Sequence, residues 1–321
     1  MNREELIRLE DLNKHFEVRS GRREKSIVRA VDHVDLTVYR GETLGLVGES
    51  GSGKTTLGRT VIRLIEPDSG RIFYRGHDIT HAKMGETRRK LQMIFQNPAG
   101  FLDPSMRVKH IIGEGLAGGR SAYSKQEIEE IVKGLLRDVG LTENDAERYP
   151  GDFSGGQQQR IGIARAIAVD PEFIVCDEPV SALDVSYQSQ IINLLKELQE
   201  KRGLTYLFIS HDISVVMNIS DRVGVMYQGQ IVELGTRDDI FLRTAHPYTK
   251  ALMAAVPVAD PQLSRGRVHE VPLDRGETVP EGGCHYYNKC RFARPECRKA
   301  GPGLAEIAPG HFVRCDRPQK G

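Results

Sequence analysis

The sequence predicts an α/β protein, with a parallel-stranded core over residues 1–240, a mostly helical insertion at about 97–160, and a small cysteine-bearing extension over 241–321. Three observations carry that prediction. The apolar run TLGLV (43–47) passes through a glycine loop into KTTLGRTVIRLI (54–65), the strand, loop and helix order of a parallel sheet. Apolar runs return at 173–176, 205–210, 222–227 and 230–235, with a helical pattern between the first pair. Beyond about 241 proline and glycine become frequent, periodicity fades, and four of the five cysteines fall in the last 38 residues.

Taken in order, LIRLEDL and IVRAVDHVDLTVY alternate as strands do, and Gly41 and Glu42 turn the chain. RIFYRG and LQMIFQ (91–96) supply further strands. In KQEIEEIVKGLLRDVG (125–140), Ile128, Ile131, Val132, Leu135 and Leu136 recur at three and four residues, which predicts an amphipathic helix. QSQIINLLKELQEKRG is a second clear helix, with Gly203 as its C-cap. No internal repeat occurs, and there is one phosphate loop, so a single nucleotide-binding domain is expected.

Composition narrows the class. Hydrophobic residues make up 39% and charged residues 28%, the proportions of a globular protein, and a net charge of +1 gives no electrostatic support to a nucleic-acid partner. The start, MNREELIRLEDLNKHF, lacks the apolar segment of a signal peptide. No run approaches the ~18 apolar residues of a membrane span. The expectation is a cytosolic chain whose membrane role, if it has one, comes through partners.

Chemistry concentrates in two stretches. GESGSGKT (48–55) matches the phosphate-loop pattern and sits between a strand and a helix. Glycines let the backbone N–H groups of residues Gly48, Ser50, Gly51, Ser52 and Gly53 wrap a phosphate, Lys54 reaches the β- and γ-phosphates, the hydroxyl of Thr55 ligates Mg²⁺, and Thr56 continues the helix start. In FIVCDEP (173–179), Asp177 ends a buried strand and is placed to hold Mg²⁺ through water. Glu178, one residue later, is placed to orient or deprotonate an attacking water, which favours hydrolysis over transfer.

With these two stretches, the lone Gln96 after a strand, FSGGQ (153–157), SALD (181–184) and His211 after TYLFIS complete a set that resembles the ABC-type ATPases over roughly residues 5–240. The resemblance implies a RecA-like core with N-terminal antiparallel strands. It also implies a head-to-tail pair of such domains, each ATP lying between one phosphate loop and the partner's Ser154, Gly155, Gly156 and Gln157. By the same carry-over Gln96 contacts Mg²⁺ and the attacking water, His211 holds the γ-phosphate and positions Glu178, and Asp184 links the two composite sites. The adenine-stacking aromatic is assigned to Phe16, with a core role for that ring as the alternative and Tyr39 as the fallback. Phe153 stands where the family usually has leucine.

Two features narrow the family further. HPYT at 246–249, within FLRTAHPYTKALMAAVP, resembles the start of the C-terminal extension on ATPase subunits of oligopeptide and dipeptide importers, and so does the spacing of Cys284, Cys290, Cys297 and Cys315. QNPAGFLDPSMRV (96–108) is similar to the segment of those subunits that faces the membrane partner, although its PAGF departs from the usual run. The resemblance implies two transmembrane permease subunits, an extracytoplasmic substrate-binding protein, a second ATPase subunit that is a related chain or a second copy, and a peripheral place on the cytoplasmic face of the inner membrane. It also implies a 4Fe-4S cluster on the four tail cysteines.

From the residues alone those cysteines stay open among iron-sulfur, zinc, and free or disulfide-bonded thiols. Eight Lys or Arg against three acids over 284–321 suit an anionic thiolate cluster, and the spacing lacks the C-x2-C of usual zinc sites. His285 and His311 read as surface histidines, and Cys176 as a small buried hydrophobe. Cargo stays open too, with nickel, glutathione and oligosaccharides beside peptides. A soluble ABC ATPase acting on DNA or ribosomes, a GTPase and an exporter are the rival functions; the long coiled-coil insertion or tandem domains, the N-K-x-D motif and the fused span that would mark them are missing.

Overall fold

A computed structural model describes residues 3–20, 24–97, 100–117, 123–255, 275–277, 279–280 and 282–319. The chain opens with two 16-residue strands, β1 (Glu5–Ser20) and β2 (Glu24–Tyr39), followed by β3 (Thr43–Val47), α1 (Lys54–Val61), β4 (Ser69–Tyr74), β5 (His77–Asp78), α2 (Thr87–Lys90) and β6 (Leu91–Ile94). The insertion carries α3 (Val108–Ala117), α4 (Lys125–Asp138) and α5 (Gly155–Ile167). Next come β7 (Phe173–Asp177), α6 (Val185–Arg202), β8 (Thr205–Ile209), α7 (Ile213–Ile219), β9 (Arg222–Tyr227), β10 (Gln230–Thr236), α8 (Arg237–Leu242) and α9 (Pro247–Ala254). The short strands β11 (Ala305–Ala308) and β12 (His311–Val313) close the described chain.

Two sheets result. One is antiparallel, in the order β2-β1-β4-β5, and in it Phe16 lies opposite Val28. The other runs β11-β12-β10-β9-β3-β8-β7-β6, parallel from β9 to β6. Its central strands are apolar on both faces because both faces are covered. In β8, Tyr206 and Phe208 join one core with the insertion and α6, while Leu207 and Ile209 join a second core with the antiparallel sheet and α1. All four are 0% exposed, and each such side chain stabilises the fold by about 1.5–3 kcal/mol.

Several expectations shift by a turn. α1 ends at Val61 rather than at 65, since Arg63 takes a left-handed conformation (φ 58°). α4 follows the predicted helix closely because Ser124 and Glu127 cap it reciprocally, Glu127 N–H to Ser124 Oγ at 3.3 Å and Ser124 N–H to Glu127 Oε2 at 2.7 Å. β6 stops at Ile94, so Gln96 lies beyond the strand. The extension is less separate than its texture suggests. Its hairpin β11-β12 pairs with β10 and lengthens the main sheet. Within PAGF, residues 98 and 99 lie outside the described residues, as do 256 and 257 at the end of the HPYT segment.

Candidate nucleotide site

The phosphate loop joins β3 to α1 at the carboxyl end of the parallel strands. Its geometry demands glycine at Gly53, where φ is 106° and a Cβ would meet the Ala30 carbonyl oxygen at 1.9 Å. Ser50 and Gly51 form the exposed crest of this loop, while Ser52 is buried and its carbonyl accepts the Gly229 N–H at 2.9 Å. Lys54 is 5% exposed and folds back on the loop, its Nζ donating to the carbonyls of Gly48 (2.8 Å) and Glu49 (2.9 Å). Burial lowers its pKa, opposed by the carboxylates of Glu178, Asp177 and Glu49. Thr56 sits in the first turn of α1, its carbonyl accepting the Thr60 hydroxyl.

β7 lies two strands from β3 and delivers the acids. Thr55 Oγ1 donates to Asp177 Oδ1 at 2.7 Å, so the two proposed magnesium ligands already touch. Asp177 is 1% exposed, and burial raises its pKa against the pull of that hydrogen bond and of Arg59. Glu178 is left-handed (φ 47°), and its N–H donates to the Ile209 carbonyl at 2.9 Å, which turns the side chain away from the strand line. Gln96 Nε2 donates to Glu178 Oε2 at 2.9 Å, and His211 Nδ1 lies 3.2 Å from Glu178 Oε1. Residues 96, 178 and 211, dispersed in sequence, therefore converge on one carboxylate.

The Ser-Gly-Gly turn makes its own bonds instead. The Ser154 N–H donates to Gln157 Oε1 at 3.0 Å at the start of α5. Gly156 has a reason within its own chain as well, because a Cβ there would meet the Tyr187 ring at 2.7 Å, whereas Gly155 has no neighbour closer than Leu183 at 3.9 Å. Asp184 caps α6, accepting from Tyr187 N–H at 3.1 Å and Ser186 Oγ at 2.8 Å, and these bonds hold its pKa down.

Of the aromatics, Phe16 is 38% exposed opposite Val28, two residues from the Ala30 carbonyl that abuts the phosphate loop. Tyr39 lies at the other end of that sheet, opposite Glu5 and beneath the Arg222 guanidinium at 5.1 Å, which removes it as the fallback.

In the extension, Cys284, Cys290, Cys297 and Cys315 are all free and line one cavity of about 220 Å³ with Tyr287 and Phe292. Burial pushes the Cys284 thiol up to about 11, with the neighbouring thiolates adding to the shift, and burial also raises Cys290 and Cys315. Among the described residues no three His, Cys, Asp or Glu side chains stand close enough to hold one metal ion. Among the described residues a single-ion site, such as zinc would need, is therefore not formed: the thiols surround a space and do not converge on a point. His311 is also not a surface residue; it is 3% exposed, with Nε2 2.8 Å from Glu233 Oε1. His285 is half-buried against the Gln228 carbonyl at 2.9 Å. Cys176 is fully buried as expected. Sequence reasoning missed Glu233 and read Tyr248 only as part of HPYT; His311 lies 78 positions from Glu233, and Glu49 lies 199 positions from Tyr248.

Comparison with known proteins gives the family. Residues 31–181 match the ABC transporter family, and residues 232–297 match the C-terminal region of oligopeptide/dipeptide transporters. The oligopeptide transport ATP-binding protein OppF of Bacillus subtilis is 47% identical over 97% of this chain and 96% of its own length. The chain belongs to the ABC transporter ATP-binding subunits, in the oligopeptide/dipeptide group. The Escherichia coli OppF is similar to this ABC subunit as well, at 46% identity over 98% of this chain and 96% of its own. Among solved structures, the dimeric post-hydrolysis state of the ATP-binding cassette MJ0796 bound to ADP and Pi superposes with a TM-score of 0.64 at 28% identity, covering 72% of this chain and 99% of that one. The subunit is accordingly an ATPase with the cassette fold, and among the described residues no helix is long and apolar enough to cross a membrane.

Proposed function

We propose that this subunit hydrolyses ATP to drive import of di- or oligopeptides, as one of two ATPase chains on the cytoplasmic face of an inner-membrane complex with two permease subunits and an extracytoplasmic binding protein. The peptide cargo rests on the names of the relatives and on the matched C-terminal region. The second ATPase is a related chain in this reading.

The observation that carries the mechanism is the convergence of Gln96 and His211 on Glu178, beside the Thr55–Asp177 pair. Lys54 exchanges its loop carbonyls for the β- and γ-phosphate oxygens. Thr55 and Asp177 are the residues that would hold Mg²⁺, which supplies charge neutralisation on the phosphates. Glu178 takes a proton from the attacking water, while His211 and Gln96 hold its carboxylate at both oxygens. Phe16 offers its half-open face to adenine. Ser154, Gly155, Gly156 and Gln157 point the N-terminus of α5 at the γ-phosphate bound by the partner ATPase, and Asp184 stands between the two sites.

Glu178→Gln tests the assignment. Turnover is expected to fall by about 10²–10⁴-fold with ATP binding retained; normal steady-state hydrolysis by the purified variant would sink it. For the tail, we infer that Cys284, Cys290, Cys297 and Cys315 hold a 4Fe-4S cluster. Support comes from four free thiols around one cavity, whose mutual repulsion as thiolates a cationic cluster core would relieve. Iron, sulfide and zinc content of anaerobically purified protein decides this; metal-free protein with working ATPase would remove the cluster.

A further inference from the structure

The phosphate loop is gripped from outside the nucleotide core. The backbone N–H of Glu49 donates to the Tyr248 hydroxyl at 2.9 Å, reaching a residue of α9 that lies 199 positions away. On its other side the same residue's carbonyl accepts Lys54 Nζ. Tyr248 is 2% exposed. Its ring packs against Tyr227 at the end of β9 (centroids 4.5 Å apart) and against Tyr286 (5.5 Å), two residues past Cys284.

The hydroxyl is presented on a rigid support. Tyr248 N–H donates to His246 Nδ1 at 3.0 Å, which makes the imidazole the N-cap of α9. The fully buried Glu233 accepts the N–H groups of Ala245 (2.8 Å) and His246 (2.9 Å), and the same carboxylate meets His311 of β12. Every link from the sheet to the tyrosine is therefore a buried hydrogen bond. A second and weaker tether runs alongside, Lys289 Nζ lying 3.9 Å from the Glu49 carboxylate.

A phosphate loop binds through backbone N–H groups, so its affinity depends on how well those groups are held before nucleotide arrives. We propose that Tyr248 is a positioning residue for the phosphate loop, and that the C-terminal extension sets the ATP affinity of the subunit through its hydroxyl. The aromatic contact with Tyr286 carries displacements of the Cys284 segment to the same point. The proposal does not depend on the identity of the cargo or on what the four cysteines hold.

The full-length chain tests it. Tyr248→Phe keeps the ring and removes the acceptor. The expected result is an ATP Kd raised roughly three- to tenfold in a fluorescent-nucleotide titration, the range that a single net hydrogen bond spans. Amide hydrogen exchange should accelerate in the peptide covering 44–57, with the melting temperature within about 4 °C of the parent. Tyr286→Leu, which leaves the hydroxyl in place, should move Kd in the same direction by a smaller factor. Unchanged Kd and unchanged loop exchange in Tyr248→Phe would overturn the proposal. So would a lowered melting temperature with unchanged Kd, which would make the tyrosine an anchor of the fold alone.

Discussion

The phosphate-loop site and the cysteine cavity of the extension are built from opposite materials. At the first, every ionisable side chain proposed to act is held by another protein group: Lys54 by loop carbonyls, Asp177 by Thr55, Glu178 by Gln96 and His211. At the second, four thiols face a common space with apolar neighbours, and burial and their mutual repulsion favour the protonated form. A site that must accept and release a charged nucleotide in each cycle benefits from internal stand-ins that keep its side chains in place. Thiols offer no such stand-ins to one another, so their arrangement depends on the backbone that carries them, here tied down by the Cys284 N–H to the Cys297 carbonyl at 2.8 Å.

The largest effect that would sharpen this contrast is expected at Gly53. Gly53→Ala drives a Cβ into the Ala30 carbonyl in a left-handed conformation, so ATP binding should be lost and stability reduced by about 3 kcal/mol or more. Thiol reactivity of the tail should survive; nucleotide titration together with cysteine labelling checks both halves, and a normal ATP affinity would break the comparison.

Acid should strike the other region first. Burial lowers His246 to about 4 from an ordinary 6.5, so the folded state resists protonation that the unfolded state accepts. The associated stability is complete above pH 6.5 and is lost as pH falls toward 4, on the order of 3 kcal/mol in total. The chain has no tryptophan and ten tyrosines, so near-ultraviolet circular dichroism is a tyrosine signal to which the packed Tyr227, Tyr248 and Tyr286 cluster contributes. Denaturation midpoints followed by that signal should fall across this window, and flat midpoints would show that the imidazole is not held neutral.

The smallest effect is expected at Lys289, whose ion pair with Glu49 is long and largely exposed. Lys289→Ala should change ATP affinity by less than about threefold, with most of that change lost at high salt. A larger, salt-insensitive loss would mean that this tether rather than Tyr248 couples the extension to the loop.

Much of the nucleotide site was legible in the chain because its parts are local patterns. A glycine loop of this spacing between a strand and a helix points to a phosphate loop, and an acid pair after an apolar strand points to the carboxyl end of a buried parallel strand, here β7 between β8 and β6. HPYT was legible only as a resemblance. Nothing in its spacing says that the histidine caps a helix or that the tyrosine reaches Glu49, since both facts depend on partners brought together by the sheet. His311 was misread for the same reason. In a polar, loop-rich tail a histidine looks solvated until a strand pairing places it against Glu233.

By itself, then, the sequence determined the fold class, most of the core elements, the candidate groups for phosphate and water, and the family, because these rest on periodicity and on motifs a few residues long. The tertiary structure decided that β12 joins the main sheet beside β10, that Glu178 is shared by Gln96 and His211, and that an extension hydroxyl holds the phosphate loop. The physical reason is common to all three. Each is a hydrogen bond or strand pairing between residues distant in the chain, and no local pattern names the distant partner that the packing of the two hydrophobic cores brings up.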